Sequence, residues 1–542
     1  MDYLSLCLMF KDENLYLEEW ILYHLLLGVE RFYIYDNGSQ IHPGITLAPY
    51  VDDGTVVVID IAGRGAQLSA YDHFLRTFSR RTLWAGFIDT DEFLVPKTGD
   101  DLKVFLQDYE KNAGLAVNWV IFGSNGHKTR PQYGQLLSYT LRTPDQMPEN
   151  QTIKSVIQPD KVLIPHSPHH FIFKDGYACV NEKGYSVYDQ YMPFTAEKIQ
   201  LNHYWCRSEE EINQKYSRGR GDGGDPYKLN LYEYYNSQAV IEDRKVLHIL
   251  KTMLDPQNTP ASAMDPRKAD DLTNWIELAR EKYAMRLQAY PLAPRPVENL
   301  TADNRDEIAN FHRMAGEVCN AEKEKDLPNL IKDFLKLTEM YPTAIQFYCG
   351  LADALMETKD FRNSWGVLAE AWKRAPNNYK VLTFMGKFFH TIGQFERSEK
   401  MYLLAESQDP YGFRLLCWFA RMYLDWGKYD RAFECIWKAV SSYPNSTNTQ
   451  DILEVIKKLG VCYYPGRDAD KVIQLFEIAL SNNPEDVDLL INLGKIYFDQ
   501  GYYVLAQEYL ENAVQIDPAE EDALEGLRLV RRMRQQSQPA PV

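Results

Sequence analysis

The chain has 542 residues, enough for several domains and more than one sizeable core. Hydrophobic residues make up 45% and charged residues 25%, a balance too apolar for a disordered protein. A formal net charge of -17 argues against a nonspecific nucleic-acid binder, since no overall field attracts phosphate backbones. The eight cysteines are scattered and form no CxxC pair, which suits buried thiols in a reducing compartment. Acidic residues arrive at Asp12 and Glu13, too early for a secretory signal, and no window of about 18 uninterrupted apolar residues exists. The expectation is a cytoplasmic protein without a membrane span.

In chain order, Tyr3 to Phe10 reads as a strand. The next segment places Leu17, Trp20, Ile21, His24 and Leu25 at helical spacing and stops at Gly28. RFYIYD is a second strand closed by Asn37-Gly38, TVVVIDI a third, and WAGFID a fourth after a helix over 67–81. Strands alternating with helices at this spacing predict βαβ units and a parallel sheet covered on both faces. The fold class expected for residues 1–250 is therefore α/β. DPQNTPASAMDP reads as a linker, a helix follows over about 270–290, and PLAPRPVENL is a second break, so 251–300 is a connecting region.

From 301 to 542 the chain is a repeat array. Prolines 342, 376, 410 and 444 recur every 34 residues, and Pro484 and Pro518 are again 34 apart. Small residues hold fixed offsets before them: Gly386, Ser398 and Ala405 before Pro410; Ala420, Ala432 and Ala439 before Pro444; Gly494, Ala506 and Ala513 before Pro518. Small side chains let paired helices approach, and proline ends the second helix. The pattern resembles the tetratricopeptide repeat and predicts an all-α solenoid. The longer interval to Pro484 is read as an insertion at Cys462 to Asp468. Such solenoids bind a protein partner or self-associate. The arginines of the last segment (528, 531, 532 and 534) are read as a solvated face of a capping helix.

Strand ends gather the chemistry. The first ends at Lys11-Asp12-Glu13-Asn14, the second at Asp36-Asn37-Gly38-Ser39, and the fourth at Asp89-Thr90-Asp91-Glu92. Ligands of open α/β sheets lie beyond this carboxyl edge. Any one acid or amide there can simply cap a helix. Asp89 and Asp91 together exceed what capping needs, and packed acids repel unless a cation or proton sits among them.

The segments from Lys11 to Ser39, FIDTDEFLVP (Phe87 to Pro96), NWVIFGSNGH, IKSVIQP, PHHF and LNHYWCRSEEEINQKYSRGRGD resemble glycosyltransferase family 92 and its family 2-like relatives. The resemblance implies a GT-A fold, a Rossmann-like mixed sheet carrying a DxD motif, and transfer of a hexose from a nucleotide sugar such as UDP-galactose to a glycan or protein-linked acceptor. Asp89 and Asp91 would then hold a divalent ion, with Glu92 supporting them. His203 matches the late histidine that often supplies a third ligand, and an imidazole tilts the choice from magnesium to manganese. Lys11, Glu13, Asp36, Asn37 and Ser39 would line the nucleotide pocket, and Lys154 would face phosphate. Lys215, Arg218 and Arg220 stand among glycines 219, 221, 223 and 224, a composition that fits either a basic lid over the diphosphate or a solvated loop. Eukaryotic members are membrane-tethered, so this sequence points to a bacterial cytosol.

On the acceptor side Trp119, His127, His169 and His170 are candidates, while Phe122 reads as core. Most family members invert, which requires a general base. Asp175, Glu182 and Asp189 fall in the expected interval, and nothing in their context separates them. Two other readings are a haloacid-dehalogenase-like phosphatase and a non-enzymatic repeat scaffold with a degenerate nucleotide-sugar domain. The first wants Thr or Val where Phe93 stands; against the second, the DxD, His203 and the pocket residues all survive together.

Overall fold

The computed structural model describes residues 1–63, 65–218, 231–254, 274–289, 314, 318, 326–442, 450–462 and 469–536. It divides into two compact units, 1–375 and 376–542. Strands β1 (Asp2–Phe10), β2 (Arg31–Asp36), β3 (Val56–Asp60) and β4 (Thr82–Phe87) are parallel, in the order β3-β2-β1-β4. Their inner positions are buried apolar residues on both faces, as a covered parallel sheet requires. Register aligns Phe10 with Asp36 and Asp36 with Asp60, so Lys11, Asn37 and Ile61 leave the sheet side by side.

The chain continues through β5 (Glu92–Pro96), β6 (Gly114–Ile121), β7 (Leu141–Arg142), β8 (Ile153–Ile157), β9 (Val162–Pro165), β10 (Phe171–Phe173), β11 (Cys179–Val180), β12 (Ser186–Val187) and β13 (Ile199–His203). The sheet is mixed rather than wholly parallel. β8 lies antiparallel between β4 and β6, and β5 is antiparallel to β13. Between β6 and β8 the chain forms the short helix Gly134–Ser138 instead of a long crossover helix, so β8 returns in the opposite sense.

The helix Asn14–Leu26 is apolar nearly all round because it is buried. One side meets the sheet, and the helix Trp275–Ala289 returns against it, with Trp275 and Ala279 in the same core. His24, at its centre, donates from Nδ1 to the Trp20 carbonyl (2.9 Å), and burial pushes its pKa down to about 3, so it stays neutral. Gly28 ends the helix at φ +95°, where a Cβ would stand 2.8 Å from Asp101 Oδ1.

The hairpin β9–β10 is a layer of its own. Alternation sends Phe171 and Phe173 into the core under the sheet, among Tyr71, Phe74 and Phe87, and an irregularity in register between Ile172 and Phe173 brings Val162 to the same side. Ile164 and Ile172, paired in register, face the other way and pack with Leu330, Phe334, Leu337 and Leu351. Those residues belong to the helices Leu327–Met340 and Ile345–Glu357, which begin the repeats within the first compact unit. The Asp175 N–H also donates to the Thr343 carbonyl (3.1 Å).

The second unit is a run of helix pairs, beginning Tyr379–Thr391 with Phe395–Glu406 and Phe413–Asp425 with Tyr429–Ser442. The small-residue pattern is a packing pattern. A Cβ on Gly386 would stand 2.4 Å from the Tyr402 ring, and Ala405, Ala420, Ala432, Ala439, Ala506 and Ala513 are fully buried. The expected linker segments 255–266 and 291–300, Pro444, and the insertion beyond Cys462 lie outside the described residues. Among the described residues no helix is long and apolar enough to cross a membrane.

Candidate active site at the strand ends

One cavity of about 1240 Å³ opens beyond the carboxyl ends of the parallel strands. Lys11, Glu13, Asp36 and Asn37 line it from β1 and β2; Asp89 and Asp91 line it from the turn after β4. Of the other candidates, Trp119, Lys154, His169, His203 and Lys215 also line it, and Asp60, Gln67, Thr90, Tyr191 and Trp205 join them. A smaller cavity of about 590 Å³ shares Lys11, Glu13, Trp205 and Lys215 with it.

The turn between β4 and β5 explains the acids. Glu92 already belongs to β5 and is wholly buried, while Asp89 and Asp91 stay in the turn. Antiparallel pairing of β5 with β13 sets His203 opposite Glu92, one residue past Asp91. His203 Nε2 consequently lies 3.6 Å from Asp91 Oδ2. The Lys154 ammonium bonds Asp89 Oδ2 (2.9 Å) and lies 3.5 Å from Glu92 Oε2. Lys215 bonds Asp91 Oδ2 at 2.7 Å.

Charges follow this wiring. Burial pushes Glu92 up to about 8, with Asp89 and Asp91 adding to the rise against the pull of Lys154, so it carries a proton at neutral pH. Asp91 is held well below the usual carboxylate range: Lys215, His203 and Arg207 outweigh its burial. Burial lowers the His203 pKa against the pull of Asp91.

The floor of the turn is also hydrogen-bonded. Glu13 accepts from Thr90 Oγ1 and from Arg207 Nη2 (3.0 Å). Arg207 Nε donates to Gln135 Oε1 (3.1 Å), and Gln135 Nε2 donates to the Thr90 carbonyl (3.0 Å). Beneath them Glu19 accepts the Gln135 and Leu136 N–H groups. Arg207 also lies over the Tyr16 ring.

Two carboxylates and a neutral imidazole are a donor set suited to a borderline divalent ion. Asp91 and His203 already face each other, while Lys154 and Lys215 occupy the two carboxylates as cationic partners. The residues fit such an ion with those ammonium groups turned aside. Among the described residues, the trio of ligand atoms within 4.8 Å of one another is a different one, Asp36, His42 and Asp60. There His42 Nδ1 accepts the Gly44 N–H, so its Nε2 carries the proton and donates to Asp60, which leaves no lone pair for a metal.

Several candidates stand elsewhere. Ser39 does not line the cavity; its hydroxyl donates to Asp36 and its oxygen accepts the Asp12 N–H, so it braces the pocket. His127 packs against Tyr139 (5.7 Å), and His170 is buried beside His166 and Phe173; neither lines the cavity. Of the suggested bases, Glu182 is a buried structural acceptor, taking the Thr195 hydroxyl and the N–H groups of Glu197, Lys198 and Ile199. Asp175 sits at the hairpin's base against Thr343, and Asp189 is exposed, accepting the Gln190 N–H. The Arg218 side chain and residues 219–224 lie outside the described residues. Phe122 is core, fully buried against Tyr204.

Trp119 keeps its expected place on the wall, with its ring centroid 4.3 Å from that of His203 and 5.2 Å from that of His169. Gln67 went unnoticed in the sequence; its Nε2 reaches Asp89 Oδ1 (3.4 Å) from the start of a helix. Arg207 was missed too, and its place two residues after the HYW segment was the available signal.

Residues 2–250 match the model of glycosyltransferase family 92, and residues 413–446 and 487–520 match tetratricopeptide-repeat models. A glycosyltransferase family 92 protein of Ricinus communis is 32% identical over 227 residues, covering 40% of this chain and 37% of that protein. One from Oryza sativa subsp. japonica is 29% identical over 232 residues, covering 40% of this chain and 35% of that protein. The chain thus spans little more than a third of these relatives' lengths. Among solved structures, the tetratricopeptide-repeat protein YrrB, described as having an unusual peptide-binding site, is 17% identical with a TM-score of 0.30, covering 36% of this chain and 97% of its own.

Proposed function

We propose that residues 2–250, a glycosyltransferase family 92 domain, transfer a hexose from a UDP-sugar such as UDP-galactose to a glycan or protein-linked acceptor. The observation that carries this reading is the single cavity joining Lys11, Glu13, Asp36 and Asn37 to Asp89, Asp91 and His203. Asp89, Asp91 and His203 would hold a divalent ion, manganese before magnesium, which when bound offsets the charge that grows on a departing diphosphate. Lys154 and Lys215 keep the two carboxylates neutralised meanwhile, and their ammonium groups suit phosphate oxygens once displaced. Asp36 accepts the Ser39 hydroxyl, the kind of donor a ribose offers. The Trp119 ring gives the sugar an apolar face. The repeats supply a surface for a protein partner or the acceptor's carrier.

The test is a panel of UDP- and GDP-sugars with manganese, read as hydrolysis and as thermal shift. A UDP-sugar should be hydrolysed and should raise the melting temperature. If no nucleotide sugar stabilises the wild type beyond the Asp89→Ala/Asp91→Ala double variant, the transferase reading fails.

A further inference from the structure

We propose that Arg207 is the positioning residue of the Asp89–Asp91 turn, setting the spacing of its two carboxylates for the ion. The proposal rests on the transferase reading above. The polar groups of the turn show where support is needed. The Glu92 N–H donates to the Asp89 carbonyl (3.0 Å), and the Tyr204 N–H donates to the Asp91 carbonyl (2.8 Å). Both bonds run main chain to main chain. Thr90, between them, is held by side chains: Gln135 Nε2 donates to its carbonyl (3.0 Å), and its hydroxyl donates to Glu13.

Arg207 joins those two braces. Its Nη2 donates to the same Glu13 oxygen that takes the Thr90 hydroxyl (3.0 Å), and its Nε donates to Gln135 Oε1 (3.1 Å). A guanidinium only donates and a main-chain carbonyl only accepts, so these two contacts fix which way the Gln135 amide faces. Turned over, the amide would set oxygen against the Thr90 carbonyl and NH₂ against Arg207.

The frame around the braces is tight. Glu19, itself buried, takes the N–H groups of Gln135 and Leu136 (3.0 and 3.1 Å). A Cβ on Gly134, at φ +76°, would stand 2.6 Å from Glu19 Oε1. Arg207 is buried too, with its guanidinium carbon 4.5 Å from the centre of the Tyr16 ring. Its backbone lies at φ +46°, a left-handed conformation uncommon for a residue with a side chain. Such outliers persist where the surroundings over-determine them, and they cluster at active sites. Arg207 lines the smaller cavity and not the larger, so it acts on the turn rather than on substrate.

Arg207→Lys keeps a positive charge near Asp91, but one ammonium cannot replace the planar fork that holds Glu13 and Gln135 together. With UDP present, manganese binding counted from the free-ion EPR signal should weaken by about 10–100-fold. Without any metal, amide exchange over 89–92 should rise about tenfold while β1 and β2 keep their protection. Excess manganese should restore hydrolysis of the UDP-sugar that the wild type turns over, because the ligands themselves are intact. Gln135→Met should weaken the ion similarly, and the double variant should bind no worse than the weaker single one, since both act through one brace.

Manganese binding within about threefold of wild type, or unchanged exchange over 89–92, would overturn the proposal. So would a rate that excess manganese does not recover, additive losses in the double variant, or β1 and β2 loosening with the turn. If Arg207→Lys does not fold, Gln135→Met is read against the binding, exchange and recovery outcomes. A wild type that binds no manganese with UDP removes the ion from the transferase reading, and this proposal with it. A wild type that binds manganese beside an indifferent Arg207→Lys removes the proposal alone.

Discussion

The two walls of the cavity are held by different means. The wall proposed to hold nucleotide and metal stands at the ends of β1, β2 and β4, where strand register alone places Lys11, Asp36 and the Asp89–Asp91 turn. Its bracing is internal to the domain, from Lys154 and from the chain Glu13, Arg207, Gln135 and Glu19. The opposite wall, Pro168 and His169, is the tip of a hairpin of short strands. A two-stranded hairpin is marginal by itself, so its position depends on both faces being covered. One cover is the helix pair 327–357, far beyond the 2–250 span that matches the family. The working unit is therefore longer than the matched domain: one wall is local, and the other is completed by the first repeat.

The comparison breaks most severely at Lys154, which is almost wholly buried between Asp89 and Glu92. Lys154→Met leaves Asp89 beside Asp91 without its ammonium partner. The unfolding free energy should fall by about 3–5 kcal/mol, read by urea denaturation. Millimolar manganese should recover more stability for this variant than for the wild type, since the ion replaces the lost charge. Equal gains for both would count against a cation site at these carboxylates.

The hairpin wall is tested from the other side. Phe334 packs under Ile164 and Ile172 and fills the space where a Cβ on Gly350 would stand 2.3 Å from its ring. Phe334→Ala should cost about 3 kcal/mol, and amide exchange over 162–173 should rise about tenfold. Exchange in β1 and β2, and the UDP thermal shift, should not follow. If all of them loosen together, the two walls share one support and the distinction falls.

The same difference governs what the sequence reveals. Asp89, Asp91, Asp36 and Lys11 are legible because a strand end follows directly from an apolar run. The 34-residue prolines are legible because helix pairs need small residues at fixed offsets. His203 was reachable through resemblance, but its approach to Asp91 comes from β5–β13 register, which local pattern does not encode. Glu182 looks like a base in sequence; only its four donors from 195–199 expose it as a structural acceptor. His169 and His170 are adjacent, yet His169 lines the cavity while His170 is buried beside His166 and Phe173, which local pattern does not tell apart. The mixed sheet came through the resemblance and not through the strand pattern, because a reversed β8 depends on what the preceding loop fails to form.

The smallest expected effect comes from Glu19, which anchors the turn from below. It is buried and accepts two backbone N–H groups; burial pushes its pKa up to about 7 despite those bonds and Arg207. A carboxyl whose folded pKa is raised binds its proton more tightly in the folded state than in the unfolded chain. Its contribution is fully present below the ordinary carboxylate value and is lost as pH rises through about 7. That loss is on the order of 1–3 kcal/mol between pH 4.5 and 8. Glu19→Gln keeps one acceptor and turns an amide NH₂ toward the second N–H, costing about 1 kcal/mol at any pH. The variant should therefore be less stable than the wild type at pH 5, with the gap closing or reversing by pH 8. Every other titrating group is common to both proteins and cancels in the difference. Because Glu19 supports the strand-end wall alone, exchange over 162–173 should be the same in both proteins at both pH values. A hairpin that loosens with this substitution would show that the turn beneath Thr90 and the His169 loop are one mechanical element after all.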